Sequence, residues 1–238
     1  MPDTVLSNSA IISAYVAKTP KSAEWSARAR ETFPSGITHD SRHLAPYALY
    51  IDRGEGGRKW DADGNEYIDY FGGHGALLLG HNHPTVLAAM QEALADGTHF
   101  GASHTREVLW AEQVKRMVPC AERVRFTSSG TEATMMSLRL ARAYTGRDTV
   151  IRFRTHFHGW NDHMTSGQAG HMDGTPTPGV VAGVTQAAVL VDPNDKEGVA
   201  DAFANNSIAA VILEPTGSST GMVPVAPGFL AFLREQCL

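Results

Sequence analysis

The stretch "RFTSSGTEATMMSLRLARAYTGR", Arg125 to Arg147, passes from β-branched and aromatic residues through small hydroxyls and glycine into an amphipathic run that opens with an acid. A strand that ends in Thr127-Ser128-Ser129-Gly130 and turns directly into a helix leaves the first backbone N–H groups of that helix unpaired. Glycine permits close backbone approach, and Ser129 and Thr131 add hydroxyl donors. The corner formed by Ser129, Gly130 and Thr131 can therefore hold a phosphate without any lysine or arginine. A hydroxyl-capped helix, with Glu132 answering its dipole, accounts for the same residues without a ligand. The corner has neither the G-x-x-x-x-G-K-[ST] of a P-loop nor G-x-G-x-x-G, which argues against nucleotides. Two more strand exits carry chemistry: "RTHFHGWND" offers Phe157 and His158, and "EPTGSSTG" offers Glu214, Ser218 and Ser219. If these exits share one edge of a parallel sheet, where ligands of α/β proteins collect, the set suits a flat phosphorylated heterocycle.

The elements that must position them follow from the pattern. Short apolar runs predict strands over 123–127, 149–153, 187–191 and 208–213, with helices over 131–145, 196–205 and 227–236, a layered α/β arrangement. The glycine-rich stretch 159–183 reads as a long loop, which in a compact domain is usually functional. Upstream, 22–33 predicts a helix capped by Ser22 and closed by Pro34, and 49–70 a small β meander with Asp63-Gly64 as its tight turn. A helix should open at Pro84 and close at Gly97, with Leu87, Met90 and Leu94 on one face, and another should cover 106–118. Asp61, Asp63 and Asn65 resemble a calcium loop only in part, because the sixth position is Glu66 and not glycine. The expected division is 1–80, a helix and β meander, and 81–238, the first part of a larger α/β domain.

Composition narrows the partners. The 238 residues carry a formal charge of -5 with acids and bases interleaved, which argues against nucleic acid or an anionic membrane and leaves a small polar molecule. Cys120 and Cys237 stand far apart and belong to no CxxC pair, so neither a disulfide framework nor a thiolate zinc site is indicated. The N-terminal residues do not form a signal sequence and no apolar run is long enough to span a bilayer, so a cytoplasmic location is expected.

The motifs "FPSGITHDSRHLAP", "WDADGNEYIDYFGGHGALLLGHNHP", "FTSSGTEATMMSLRLARAYTGR", "THFHGW" and "AAVILEPTGSSTGMVP", in this order, resemble the class III aminotransferases of the fold-type I pyridoxal-phosphate enzymes. The likeness is to the glutamate-1-semialdehyde 2,1-aminomutase-like and D-phenylglycine aminotransferase-like branches. It implies a three-layer α/β/α large domain and pyridoxal 5'-phosphate as cofactor. By the resemblance, Ser129, Gly130 and Thr131 cradle the phosphate, Phe157 lies against the ring where most relatives have tyrosine, and His158 sits beside it. Glu214 falls near the ring hydroxyl and Ser219 where the aminomutase has asparagine, while Arg42 takes the substrate carboxylate. His74 replaces the aminomutase tryptophan, which tilts the expectation towards transfer from an aromatic D-amino acid to a keto acid. The aminomutase reaction is the alternative.

The resemblance also implies a cofactor-bonding lysine and an aspartate for the pyridinium nitrogen, and neither is present. Lys18, Lys21, Lys59, Lys115 and Lys196 are the five lysines, all in contexts expected to face solvent. The chain thus reads as an N-terminal half, inactive alone, with uncovered apolar surface, and homodimeric when full length. Strands from the other half would interleave with those present. Two rival readings remain: a metal site on His156, His158, Asp162 and His163, with His81 and His83 of "GHNHP" as further candidates, and an inactive half that serves only in subunit association.

Overall fold

The structure is a computed structural model that describes residues 9–167, 171–217 and 223–238. The chain divides into two compact units, Met1–His104 and Thr105–Leu238, each with its own three-stranded sheet. The expected boundary at 80/81 falls inside the first unit, where Gly56 and His81 exchange backbone hydrogen bonds of 2.9 and 2.8 Å.

In the first unit, α1 (Ser9–Lys18) and α2 (Pro20–Thr32) are consecutive helices. Helix α1 was not legible in the scattered apolar residues of its sequence; the Tyr15 hydroxyl ties it down by donating to the carbonyl of Tyr47 at 2.7 Å. Helix α2 opens at Pro20, whose missing N–H costs nothing in a first turn, and not at Ser22. Ser22 is buried instead, and its Oγ accepts the N–H of Tyr50. The meander is β1 (Ile51–Glu55), β2 (Arg58–Asp61) and β3 (Glu66–Ile68), antiparallel in that order. Asp61 closes the β2–β3 turn by accepting the N–H groups of Asp63 and Asn65 and the hydroxyl of Tyr67. Burial alone would raise its carboxyl, but the bonds from Asn65 and Tyr67 hold it below the usual range. Helix α3 (Pro84–Asp96) has the expected ends, yet Leu87, Met90 and Leu94 are all exposed and no residue of the helix is buried.

The second unit begins with α4 (Thr105–Met117), which also buries no residue. Then come α5 (Gly130–Thr145), β4 (Thr149–Phe153), α6 (Ala182–Thr185), β5 (Ala188–Val191), α7 (Lys196–Asn205), β6 (Ile208–Ile212) and α8 (Phe229–Gln236). The sheet is parallel in the order β5-β4-β6. Alternation along β4 sends Ile151 and Phe153 into a core with Val199, Ala202, Phe229 and Leu233, and Val150 to the other side with Leu138 and Met164. Helices α7 and α8 therefore cover one face and α5 the other, the three-layer arrangement expected. The strand expected at 123–127 joins no ladder among the described residues. β propensity supplies no partner, and Phe126 stacks on Trp110 at 3.9 Å instead. β4 pairs directly with both β5 and β6, so no other strand lies among these three. Among the described residues, no helix is long and apolar enough to cross a membrane.

Candidate cofactor site at the strand exits

Helix α5 starts where the sheet stops. Ser129, in extended backbone, caps it: its Oγ accepts the N–H of Glu132 at 3.2 Å, and the Glu132 carboxylate accepts the N–H of Ser128 at 2.7 Å. This is a capping box displaced by one residue. The Ser129 oxygen is thus engaged while its hydroxyl hydrogen remains a donor, alongside the first-turn N–H groups of Gly130 and Thr131. A Cβ on Gly130 would meet nothing within 4 Å, so open space faces this donor set. Donors with no acceptor among the described residues, beside open space, fit a phosphate.

The exit of β4 folds over the same turn. Gly159 has φ +81°, and a Cβ there would come within 2.4 Å of Thr131 Oγ1, so only glycine lets the loop lie this close to α5. Thr134 reinforces the approach, its hydroxyl reaching the carbonyl of His158 at 2.7 Å. Phe157 leaves its ring 52% exposed. Its backbone N–H is fixed by donation to Glu214 Oε1, and the Glu214 N–H donates to His156 Nδ1 at 3.0 Å. The exits of β4 and β6 are thereby tied together, with an aromatic face left accessible.

His158 is 6% exposed. Burial, and next the charge of Arg152, push its imidazole down to about 4 against the opposing pull of Glu214, so the ring is neutral at pH 7. Its Nε2 has no hydrogen-bond partner among the described residues.

Arg152, in the middle of β4, escaped the sequence reading. It is fully buried; Nη2 donates to the carbonyl of His156 at 3.0 Å, while Nε and Nη1 have no partner among the described residues. Desolvation lowers its guanidinium to about 10. The one signal available was a charge inside an otherwise apolar strand, "TVIRF".

The structure therefore joins Ser129, Gly130, Thr131, Phe157, His158 and Glu214 in one unit. Ser218 and Ser219 lie outside the described residues. Arg42 and His74 belong to the first unit. Arg42 donates to Thr38 Oγ1 at 2.8 Å, and the segments carrying Arg42 and His74 meet through the rings of His39 and His74, 5.3 Å apart. Lys59 departs from expectation: it is half-buried and paired with Asp69 at 2.9 Å. Among the described residues, no group of three or more histidine, cysteine or acidic side chains is arranged to hold a metal ion.

The sequence profile of the family Aminotransferase class-III matches residues 39–238. Glutamate-1-semialdehyde 2,1-aminomutase 2 of Brevibacillus brevis is 44% identical over 223 residues, covering 90% of this chain and 52% of that protein. A solved structure described as a transaminase with PLP bound superposes with a TM-score of 0.87 at 35% identity, over 92% of this chain and 53% of the other. A β-phenylalanine aminotransferase from Variovorax paradoxus gives 0.84 at 29% identity, over 95% and 50%. The chain spans about half the length of the relatives it matches.

Proposed function

The chain belongs to the class-III aminotransferase family, a family of pyridoxal-phosphate enzymes, and on that premise we propose that it builds the phosphate and ring cradle of an enzyme that moves an amino group between an amino acid and a keto acid. The observation that carries this is the exposed ring of Phe157, fixed through its own N–H by Glu214 and folded by Gly159 onto the open first turn of α5. When bound, the cofactor supplies the electron sink that lets an amino acid lose its α-proton. The residues of this chain hold and orient. Ser129, Gly130 and Thr131 donate to the phosphate, and Phe157 supplies a stacking face. His158 offers an uncharged ring, and Glu214 fixes the Phe157 backbone near the ring hydroxyl. Ser219 stands in the asparagine position, Arg42 binds the substrate carboxylate as a guanidinium fork, and His74 borders the substrate. The complete enzyme acts as a homodimer in the cytoplasm.

An aromatic D-amino acid as donor is supported by His74 in "FGGHGALLLGH". The second reading, aminomutase, is supported by the 44% identity to the Brevibacillus protein. Equilibrium dialysis of pyridoxal phosphate against the chain should show saturable binding that inorganic phosphate displaces; binding indifferent to phosphate would sink the cradle. Borohydride reduction of the mixture should label no single lysine, since Lys115 and Lys196, the two in the second unit, are exposed. For the full-length gene product, D-phenylglycine with a keto acid should give transfer. Production of 5-aminolevulinate from glutamate 1-semialdehyde, with aromatic donors ignored, would select the second reading.

A further inference from the structure

Three places hold polar chemistry that the cradle does not use. Arg142 Nη2 and Asn161 Oδ1 have no partner among the described residues along a cleft beside α5, but Met135, Arg139 and Asp162 on the same cleft are exposed. The Asp69 cluster of the first unit is fully satisfied. Arg152 is neither exposed nor satisfied.

Burying a guanidinium without an acid beside it is expensive, and β4 would be better served there by an aliphatic side chain. The turn that follows shows what Arg152 does. Thr155 sits at φ +67°, a conformation that β-branched residues strongly resist and that persists only where the surroundings over-determine it. Bonds that constrain this turn include Thr155 N–H to the carbonyl of Gly167 at 2.9 Å, His156 N–H to that of Phe153 at 3.3 Å, Glu214 N–H to His156 Nδ1 at 3.0 Å, and Arg152 Nη2 to the carbonyl of His156. The Arg152 bond comes from a side chain buried in the sheet itself. Phe157 and His158 follow immediately.

We propose that Arg152 is a positioning residue, a buried clamp that holds the strained turn after β4 so that Phe157 and His158 face the cofactor ring; this rests on the cofactor site proposed above. The clamp acts on the next two residues through the backbone, so the Phe157 N–H stays aimed at Glu214 and the His158 carbonyl at Thr134. Its charge adds a second effect. The groups whose charge bears on His158 are Arg152 from β4, His156 on the same loop and Glu214 from the β6 exit, while α5 contributes the uncharged Thr134. Arg152 and burial together keep His158 uncharged.

The test compares Arg152→Met with Arg152→Lys in this chain. The imidazole C2–H exchange of His158, followed by mass spectrometry across pH 3 to 8, reports its titration midpoint. Amide exchange reports residues 155–158, and equilibrium dialysis reports pyridoxal phosphate. With methionine, the His158 midpoint should rise by about half a pH unit or more, the Phe157 amide should exchange faster, and the cofactor should bind about tenfold more weakly. Lysine, which keeps one charged donor, should bring all three back to within about threefold of the parent. A folded R152M protein with the parent's His158 midpoint and Phe157 protection would overturn the proposal. If R152M does not fold, R152M combined with Thr155→Gly should recover stability, because glycine removes the strain that the clamp opposes; no recovery would overturn it as well. Failure of the parent chain to bind pyridoxal phosphate would count against the cofactor site alone, since the exchange measurements judge Arg152 without any ligand.

Discussion

Asp69 in the first unit and Arg152 in the second both keep a charge out of water, and the two are treated in opposite ways. In the first unit the Asp69 carboxylate accepts from Lys59 Nζ at 2.9 Å, from His81 Nε2 at 2.8 Å, and from the N–H groups of Phe71 and Gly72. Lys59 first, and then His81, hold its carboxyl far below the usual carboxylate range. In the second unit the Arg152 guanidinium makes one bond and leaves two nitrogens unmatched among the described residues. A charge with both oxygens bonded makes a rigid joint; a charge left partly unanswered marks where structure is held for another purpose.

The largest effect should come from breaking the satisfied charge. Asp69→Ala leaves Lys59 and two backbone donors unmatched and should cost about 3 kcal/mol in chemical denaturation. A loss below about 1 kcal/mol would mean that water replaces the carboxylate easily, and the contrast with Arg152 would collapse.

Acid should separate the units next. The depressed carboxyl of Asp69 contributes stability that is present above its unfolded pKa near 3.9 and is lost only as pH falls below that. The imidazole of His158, also depressed, stays neutral in the fold while the unfolded chain takes up a proton below about 6.5, so stability falls by about 3 kcal/mol as pH drops from about 6.5 to about 4. Amide exchange at pH 5 should therefore loosen residues 155–158 while residues 58–72 stay protected. Simultaneous loosening would show that one titration governs both units.

Gly159→Ala sharpens the comparison at the site. The added Cβ meets Thr131 at φ +81°, so the loop must lift from α5, and phosphate-displaceable cofactor binding should fall by about tenfold or more with the first unit unaffected. Ser129→Ala should cost about 1 kcal/mol as a lost cap and also weaken the phosphate contact. The cap would be the whole story if thermal stability dropped while cofactor affinity did not. The smallest effect belongs to the exposed pair Arg58 and Glu66: Glu66→Gln should change stability by less than about 0.5 kcal/mol, and by less again at high salt.

Much of this was legible because it is local. Pro84 and Gly97 bracket a helix by backbone chemistry that needs no neighbour, and Lys196–Asn205 reads as a helix for the same reason, with Asp195 as its cap. Ser129 and Glu132 announce the start of α5, and Asp63-Gly64 a turn. The misses are non-local. The run 123–127 has strand propensity but no ladder, α3 has an apolar face but no cover, and Lys59 looked like a hairpin surface charge until Asp69, ten residues on, was folded against it.

By itself, the sequence determined both ends of α3, the start of α5, the Asp63-Gly64 turn and which residues could form a phosphate corner, because capping, proline and glycine effects are settled within a few residues of the chain. Only the tertiary structure decided that Phe157 N–H meets Glu214, 57 residues away, and that Arg152 lies buried with no acid bonded to it among the described residues. Those outcomes depend on which strands pair and on what the sheet excludes from water, and no window of sequence contains either.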